Sequence, residues 1–334
     1  MKPAFALPLD TQPMEARSAD IVPEEGGPWL YEPKWDGFRC LAFRSGEAVD
    51  LRAKSGKPLG RYFPEIVAML DALPSCRAVV DGEIVIADAD GPAFDALQMR
   101  LHPAESRVRK LAAETPAQLI LFDMLADPDG RSLLEVPLSR RRRTLEDFVA
   151  AADREDLALS RCTRDAAEAK AWLGESGHGA TDGVVAKLLE GGYEAGARTM
   201  VKVKRLRTAD CVVGGFRYLA ARRQVGSLLL GLYNAAGELD HVGFTSTIAN
   251  EARAELTERL EALRAPPGFD GKAPGGQSRW STERSGAWEP LRPELVVEVR
   301  FDQVTGRRFR HGTKLLRWRP DKAPRQCGFD QLSG

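Results

Sequence analysis

The sequence has no C-x-x-C pair. Its five cysteines, Cys40, Cys76, Cys162, Cys211 and Cys327, are odd in number and far apart. That spacing argues against a zinc site and against a disulfide framework, and it fits a reducing compartment. Long apolar runs are missing as well; SLLLGLY is among the longest, far short of a membrane span. The opening MKPAFALPLDTQPME lacks a signal-peptide core, because Pro3, Pro8, Asp10 and Pro13 interrupt it. A cytoplasmic protein is the expectation. Net charge is absent: 48 basic side chains balance 48 acidic ones. A zero sum argues weakly against nucleic-acid binding, and the placement of charge matters more. Internal repeats and low-complexity segments are also lacking.

What is present is length and local pattern. A chain of 334 residues with 43% hydrophobic content supports two domains of ordinary size. From Trp29 to about Arg207, strands alternate with helices. GEAVDLRA, CRAVVDGEIVIA, QLILFDMLA, DGVVAKLL and TMVKVKRL read as strands, and RYFPEIVAMLDAL, SRRRRTLEDFVAAA and RDAAEAKAWLGES as helices. After Thr208 come short β segments with glycine-rich turns, a long Pro/Gly-rich surface loop (265–277) and one helix. In that helix Leu256, Leu260 and Leu263 form an apolar face and Asn250 is the expected cap. This fits a small closed barrel such as an OB-fold, with a domain boundary near residue 207.

Basic residues cluster in three places. RTMVKVKRLR carries five basic residues, and GRRFRHGTKLLRWRPDK seven against one aspartate; both alternate with apolar residues like strands lining a groove. SRRRR (139–143) reads instead as a solvated face at a helix start, with Ser139 as N-cap.

Side-chain alternation then sorts the polar residues. In VVDGEIVI, Asp81 and Glu83 share one face, either as solvated acids or as partners for a sugar hydroxyl or a metal ion. Lys202 and Lys204 share a face of TMVKVKRL; they either guard a sheet edge or hold an anion such as phosphate between them. In DGVVAKLL, Asp182 lies on one face as a site candidate, and Lys187 on the other as a structural residue. Phe122 shares a face with Ile120 and Met124, as core or as a surface on which a base stacks. The stretch EPKWDGFR places Lys34 beside Asp36, Gly37 and Arg39. A lysine nucleophile must lose its proton, which desolvation and nearby cations favour. Arg39, Lys202, Lys204 and a bound metal ion suit attack on phosphorus, Asp36 could hold either the lysine or the metal, and Gly37 permits a tight turn and close approach of a ligand.

K-x-D-G at Lys34, D-G-E at Asp81–Glu83, F-D at Phe122–Asp123, D-G-V-V-A-K at Asp182, V-K-V-K at Lys202 and Lys204, and R-W-R-P-D-K at 317–322 occur in this order. The order resembles that of the covalent nucleotidyltransferases, specifically the ATP-dependent DNA ligases, over nearly the whole chain. The ending RFRHGTKLLRWRPDKAPRQC is similar to the small bacterial ligases of the LigC type. The resemblance implies an α+β chain: an ATP-grasp-like adenylation domain of antiparallel sheets and helices over 1–207, then an OB-fold barrel over 208–334. It implies that Lys34 takes AMP from ATP, passes it to the 5′-phosphate of nicked duplex DNA, and that the 3′-hydroxyl then seals the nick. Glu32 would lie beside adenine and Phe122 would stack on it; Glu83 would bind the ribose. Arg39 and Arg52 would hold phosphates, and Lys202 and Lys204 the α-phosphate. Asp36, Glu83 and Asp182 would lie near Mg²⁺. Arg317, Arg319, Asp321 and Lys322 would orient pyrophosphate in the first step, with a hinge at 207–210.

The family usually has glutamate at the position of Asp182, so a metal contact there would run through water. An NAD⁺-dependent ligase is disfavoured, because Lys34 lies close to the start and no cysteine cluster exists. With no room for a large N-terminal DNA-binding domain, the two domains are expected to hold DNA themselves, as a monomer. Ku-like or polymerase partners follow by analogy alone. An RNA ligase, an mRNA guanylyltransferase and a non-catalytic nucleic-acid-binding module are the rivals.

Overall fold

The strand FRCLAFRS buries both faces: Cys40 and Ala42 enter one core, Leu41 and Phe43 another. A strand of that kind must lie inside a layered domain, with covered surfaces on both sides. The structure, a computed structural model, describes residues 5–74, 76–88, 91–92, 94–176, 181–275 and 287–332. The chain divides into two units, Met1–Arg205 and Leu206–Gly334.

The first unit runs β1 (Ala16–Ala19), β2 (Trp29–Trp35), β3 (Phe38–Ser45), β4 (Ala48–Ala53), α1 (Pro64–Asp71) and β5 (Val79–Val85). A short ribbon follows, β6 (Ala87–Asp88) with β7 (Gly91–Pro92), then α2 (Phe94–Arg100), α3 (Glu105–Glu114) and β8 (Gln118–Ala126). The last elements are α4 (Leu138–Ala152), β9 (Leu157–Leu159), α5 (Ala166–Glu175), β10 (Thr181–Leu188) and β11 (Met200–Lys204). They build two main sheets, in the orders β1-β11-β10-β2 and β4-β3-β5-β8-β9. Pairing is antiparallel except between β1 and β11 and between β8 and β9. Leu41, Phe43 and Val79 of one sheet pack with Met200 of the other. Helices α1 and α4 cover the opposite face of the five-stranded sheet through Ile66, Met69, Leu70 and Leu145.

Pro33 lies inside β2, opposite Val184 of β10. It is tolerated because β2 is the edge of its sheet, where a missing N–H costs no ladder bond. Gly37 turns the chain from β2 into β3. A Cβ there would stand 2.1 Å from the Ile84 carbonyl oxygen, so β5, rather than a ligand, demands the glycine.

The second unit contains β12 (Arg207–Leu219), β13 (Arg222–Tyr233), β14 (Leu239–Thr245), α6 (Arg253–Ala262), β15 (Glu289–Pro290), β16 (Val296–Phe301), β17 (Val304–Thr305), β18 (Arg308–Phe309) and β19 (Lys314–Trp318). The antiparallel path is β14-β13-β12-β16-β19, with β15 on β12. Its two edges meet at one bridge, Thr245 to Thr313. Leu260 is buried, and Leu256 and Leu263 pack on the same core, as the helical spacing requires. The cap differs from expectation. Ala252 holds the N-cap position, and Asn250 accepts a bond from the Arg253 guanidinium instead. The 265–277 loop is buried at Phe269 and passes out of the described residues after Gly275.

Candidate active site

Strand register brings the motif residues into two cross-strand rows. Lys34 of β2 lies opposite Gly183 of β10, which lies opposite Lys204 of β11. One step along, Glu32 lies opposite Val185, and Val185 opposite Lys202. Because alternate residues share a face, Glu32, Lys34, Val185, Lys187, Lys202 and Lys204 all project from one side of this sheet. The five-stranded sheet contributes Arg39, paired in register with Glu83, and Phe122. Between the sheets lies a cavity of about 230 Å³, walled by Glu32, Lys34, Arg39, Glu83, Phe122, Lys187 and Lys202 among others.

Two bulges decide its contents. Asp182 is the extra residue where the β10–β2 register slips between Thr181 and Gly183. Phe122 is the extra residue where β8 slips against β5 between Asp81 and Gly82. A bulge breaks alternation and re-aims a side chain. Asp182 thus reaches the lysines, with Oδ1 at 2.7 Å from Lys34 Nζ and Oδ2 at 2.9 Å from Lys204 Nζ. The first contact is close but off the hydrogen-bonding direction. The bulges also put Met124 opposite Val80, in the outer core and off the face expected for it. Lys187, expected to be structural, is a wall of the cavity. Its ammonium meets Glu32 Oε2 at 2.8 Å and lies 4.6 Å from the centre of the Phe122 ring.

Gly183 is required by packing. A Cβ would meet the Val203 carbonyl oxygen at 2.1 Å and Lys204 Cα at 2.9 Å. Gly183→Ala must therefore push β11 aside and displace Lys202 and Lys204. A loss of roughly 1–3 kcal/mol is expected, as for other overpacked sites. Thermal melting, with AMP transfer to the protein measured in parallel, checks this; an unchanged melting temperature contradicts it.

Beneath the cavity lies a buried polar network. Asp81 is fully buried, not solvated; it takes both fork nitrogens of Arg39, at 2.5 and 2.6 Å, and the Tyr193 hydroxyl at 2.6 Å. Burial works against the Arg39 charge, but Asp81 outweighs it and raises the guanidinium pKa. Arg39 also lies 4.6 Å from the Phe122 centroid, so the ring is flanked by two cations. Lys202 is shifted down by burial and by the charges of Lys34, Lys204 and Lys54.

Burial pushes Glu83 up to about 7, against the opposing pull of Arg39 and Lys34. The sign follows directly. A carboxyl with a raised folded pKa is favoured protonated, so its contribution to stability is present below about 4.5 and lost as pH rises towards 7. Without cation or nucleotide, the wild type should lose on the order of 2 kcal/mol relative to Glu83→Gln between pH 5 and pH 8. Melting curves in chelator across that range test it; parallel curves for the two proteins contradict it.

Several expected residues fall elsewhere. Asp36 is half-buried in the β2–β3 turn and is not among the cavity walls. Arg52 lies opposite Leu41, on the same face of its sheet as Arg39, but it is clamped to Asp50 at 2.6 and 2.9 Å and lines a separate open groove. Lys54, not singled out by the sequence, lines both spaces and pairs with Glu15 at 3.0 Å. Pro13 to Ala16 form a further wall that no motif announced. The SRRRR run is not a solvated face: Arg141 and Arg142 are buried, and Pro137, not Ser139, caps α4. In the second unit, Arg319 and Lys322 meet on Asp210 at 2.8 and 2.7 Å. Arg317 pairs with Glu298 at 2.6 Å, and Arg319 draws Asp321 down to about 2.

Comparison with known proteins bears on this arrangement. The sequence model of the ATP dependent DNA ligase domain matches residues 12–204, and that of the ATP dependent DNA ligase C terminal region matches 221–322. DNA ligase C1 of Mycolicibacterium smegmatis is 45% identical over 331 residues, covering 96% of this chain and 93% of its own. DNA ligase C of Mycobacterium tuberculosis is 43% identical over 340 residues, with the same coverage. The solved mycobacterial DNA ligase D complexed with ATP and MES is 29% identical. It superposes with a TM-score of 0.51 over 96% of this chain and 98% of its own. The architecture accordingly is a mixed α+β nucleotidyltransferase domain followed by an OB-fold-type region. The chain belongs to the ATP-dependent DNA ligase family.

Proposed function

We propose that Lys34 is the nucleophile of this ligase and that the cavity around it is the AMP site. The observation that carries the reading is the convergence of Glu32, Lys34, Arg39, Glu83, Phe122 and Lys202, from segments up to 170 residues apart, on one cavity. The Lys34 amine attacks the α-phosphorus of ATP, forming a P–N bond as the P–O bond to pyrophosphate breaks. The 5′-phosphate of nicked duplex DNA then attacks that phosphorus, and the lysine leaves and regains its proton. Last, the 3′-hydroxyl attacks the activated 5′-phosphate, forming the phosphodiester and releasing AMP.

Phe122 and Val185 offer adenine apolar faces, and Glu32 accepts from its amine. Glu83 takes the ribose. Arg39, Lys202 and Lys204 spread the charge that builds on phosphorus in the transition state. The donors near Lys34 suit Mg²⁺. Glu83 and Asp182 offer hard carboxylate oxygens, and Mg²⁺ commonly takes one or two carboxylates and completes its shell with substrate phosphates and water. When bound there, the ion would neutralise phosphate charge. Asp36, in the β2–β3 turn outside the cavity walls, is the third candidate ligand. Residues 1–207 and 208–334 act as adenylation and OB domains. Arg317, Arg319 and Lys322 serve pyrophosphate departure.

DNA repair is the proposed setting, with Ku-like or polymerase partners. Labelled ATP and GTP offered in parallel, followed by nicked duplexes with DNA or RNA on either side of the nick, test the reading. ATP labelling and sealing of all-DNA nicks are expected. Label from GTP alone, or sealing confined to RNA, would overturn it in favour of a capping enzyme or an RNA ligase.

A further inference from the structure

Arg142 belongs to the charge run that sequence alone assigned to solvent, yet it is 7% exposed and held on three sides. Its Nη2 donates to the Ser160 carbonyl at 2.6 Å and its Nε to Glu146 Oε1 at 2.9 Å. Its Nη1 stands 3.4 Å from Glu32 Oε1. The other oxygen of Glu32 is taken by Lys187 at 2.8 Å. Lys187 is shared, donating also to the Phe122 carbonyl at 3.2 Å. Glu32 and Lys187 line the cavity and Arg142 does not, so anything Arg142 does for a nucleotide passes through Glu32.

The chemistry of the base edge gives this arrangement a consequence. Adenine presents an amine donor at C6, whereas guanine and hypoxanthine present a carbonyl acceptor. An ionised carboxylate can only accept; a protonated one can donate. Burial at 2% exposure favours the neutral acid, while an adjacent cation favours the anion. Burial raises the Glu32 pKa and Asp123 adds to the rise, while two cations, Lys187 and Arg142, pull it back towards the anion; Arg142 is itself held by Glu146.

We propose that Arg142 is a specificity-determining positioning residue: it holds Glu32 fixed and ionised, so that the site accepts the 6-amine of adenine and rejects a 6-carbonyl. The inference rests on the seating of adenine against Glu32 given above.

The test is single-turnover AMP or IMP transfer to the full chain from ATP and from inosine triphosphate. The variants are Arg142→Gln, Arg142→Lys, Glu146→Gln and Glu32→Gln. Arg142→Gln should raise KM for ATP about tenfold, leave kcat within about threefold and cut the ATP-to-ITP preference about tenfold. Arg142→Lys should restore most of that preference. Should Arg142→Gln fail to fold, Glu146→Gln, which loosens Arg142 from an exposed partner, must shift the preference the same way by about twofold. An unchanged preference in the folded Arg142 variant, or in Glu146→Gln where that variant does not fold, overturns the proposal. Glu32→Gln separates the two levels. If it leaves the preference at the wild-type value, the adenine seating is wrong. If it shifts the preference and Arg142→Gln does not, only the role of Arg142 falls.

Discussion

Lys34→Ala should abolish both AMP transfer to the protein and sealing of a nick from ATP, by more than about a thousandfold. The cavity holds four lysines, but they are not equivalent. Lys187 is consumed by Glu32, and Lys54 by Glu15. Lys202 stands across β10 from Glu32, one row away from Lys34. A neighbouring lysine could replace Lys34 only if a strand slipped, and a slip of one residue would turn its side chains to the other face. The same variant should still seal DNA that arrives already adenylated, because that step needs no new P–N bond. Sealing from ATP by Lys34→Ala would remove the lysine from the mechanism.

The second large effect is expected to be confined to one step. Arg319→Ala and Lys322→Ala should each lower AMP transfer to the enzyme about a hundredfold, while sealing of pre-adenylated nicks stays within about threefold. Both cations are drawn to Asp210, which is pinned through its own backbone by Gln331 at 2.9 and 3.1 Å. Asp210 and Asp321 thus hold both cations in place, and under the proposed assignment they would pass to pyrophosphate, which leaves in the first step only. Comparable losses in both steps would withdraw their assignment to pyrophosphate.

Strand identity was legible because β5, β8, β10 and β11 carry short runs rich in β-branched and aliphatic residues, and the face of each side chain follows by alternation wherever pairing is regular. It placed Glu83, Lys202 and Lys204 on the correct faces, and it failed at irregular register. Asp182 and Phe122 both stand at bulges, and a bulge is set by the partner strand, which local pattern does not contain. Lys187 was misread for a related reason. Alternation gave its face correctly, but assigning Asp182 to the site by regular alternation turned the site to the wrong side of β10. Arg141 and Arg142 misled because four consecutive arginines look solvated. Helical geometry turns the middle two inwards, where Arg141 meets Asp123 at 2.8 and 3.0 Å. Arg52 lines the groove beside the cavity, and Lys54, two places on along the same face, lines both and was not singled out. The wall from Pro13 to Ala16 left no motif at all. It is held by backbone bonds, with the Met14 N–H donating to Tyr193 and its carbonyl accepting from Arg39.

All of these assignments depend on a covalent nucleotide carried by one side chain. Intact-mass spectrometry of the purified chain after incubation with ATP and Mg²⁺, then after addition of nicked DNA, measures that carriage directly. The predicted record is a gain of one AMP, mapped by peptide fragmentation to Lys34, that disappears as the nick closes. A chain that closes nicks from ATP without ever gaining that mass, or gains it on another residue, would contradict the account.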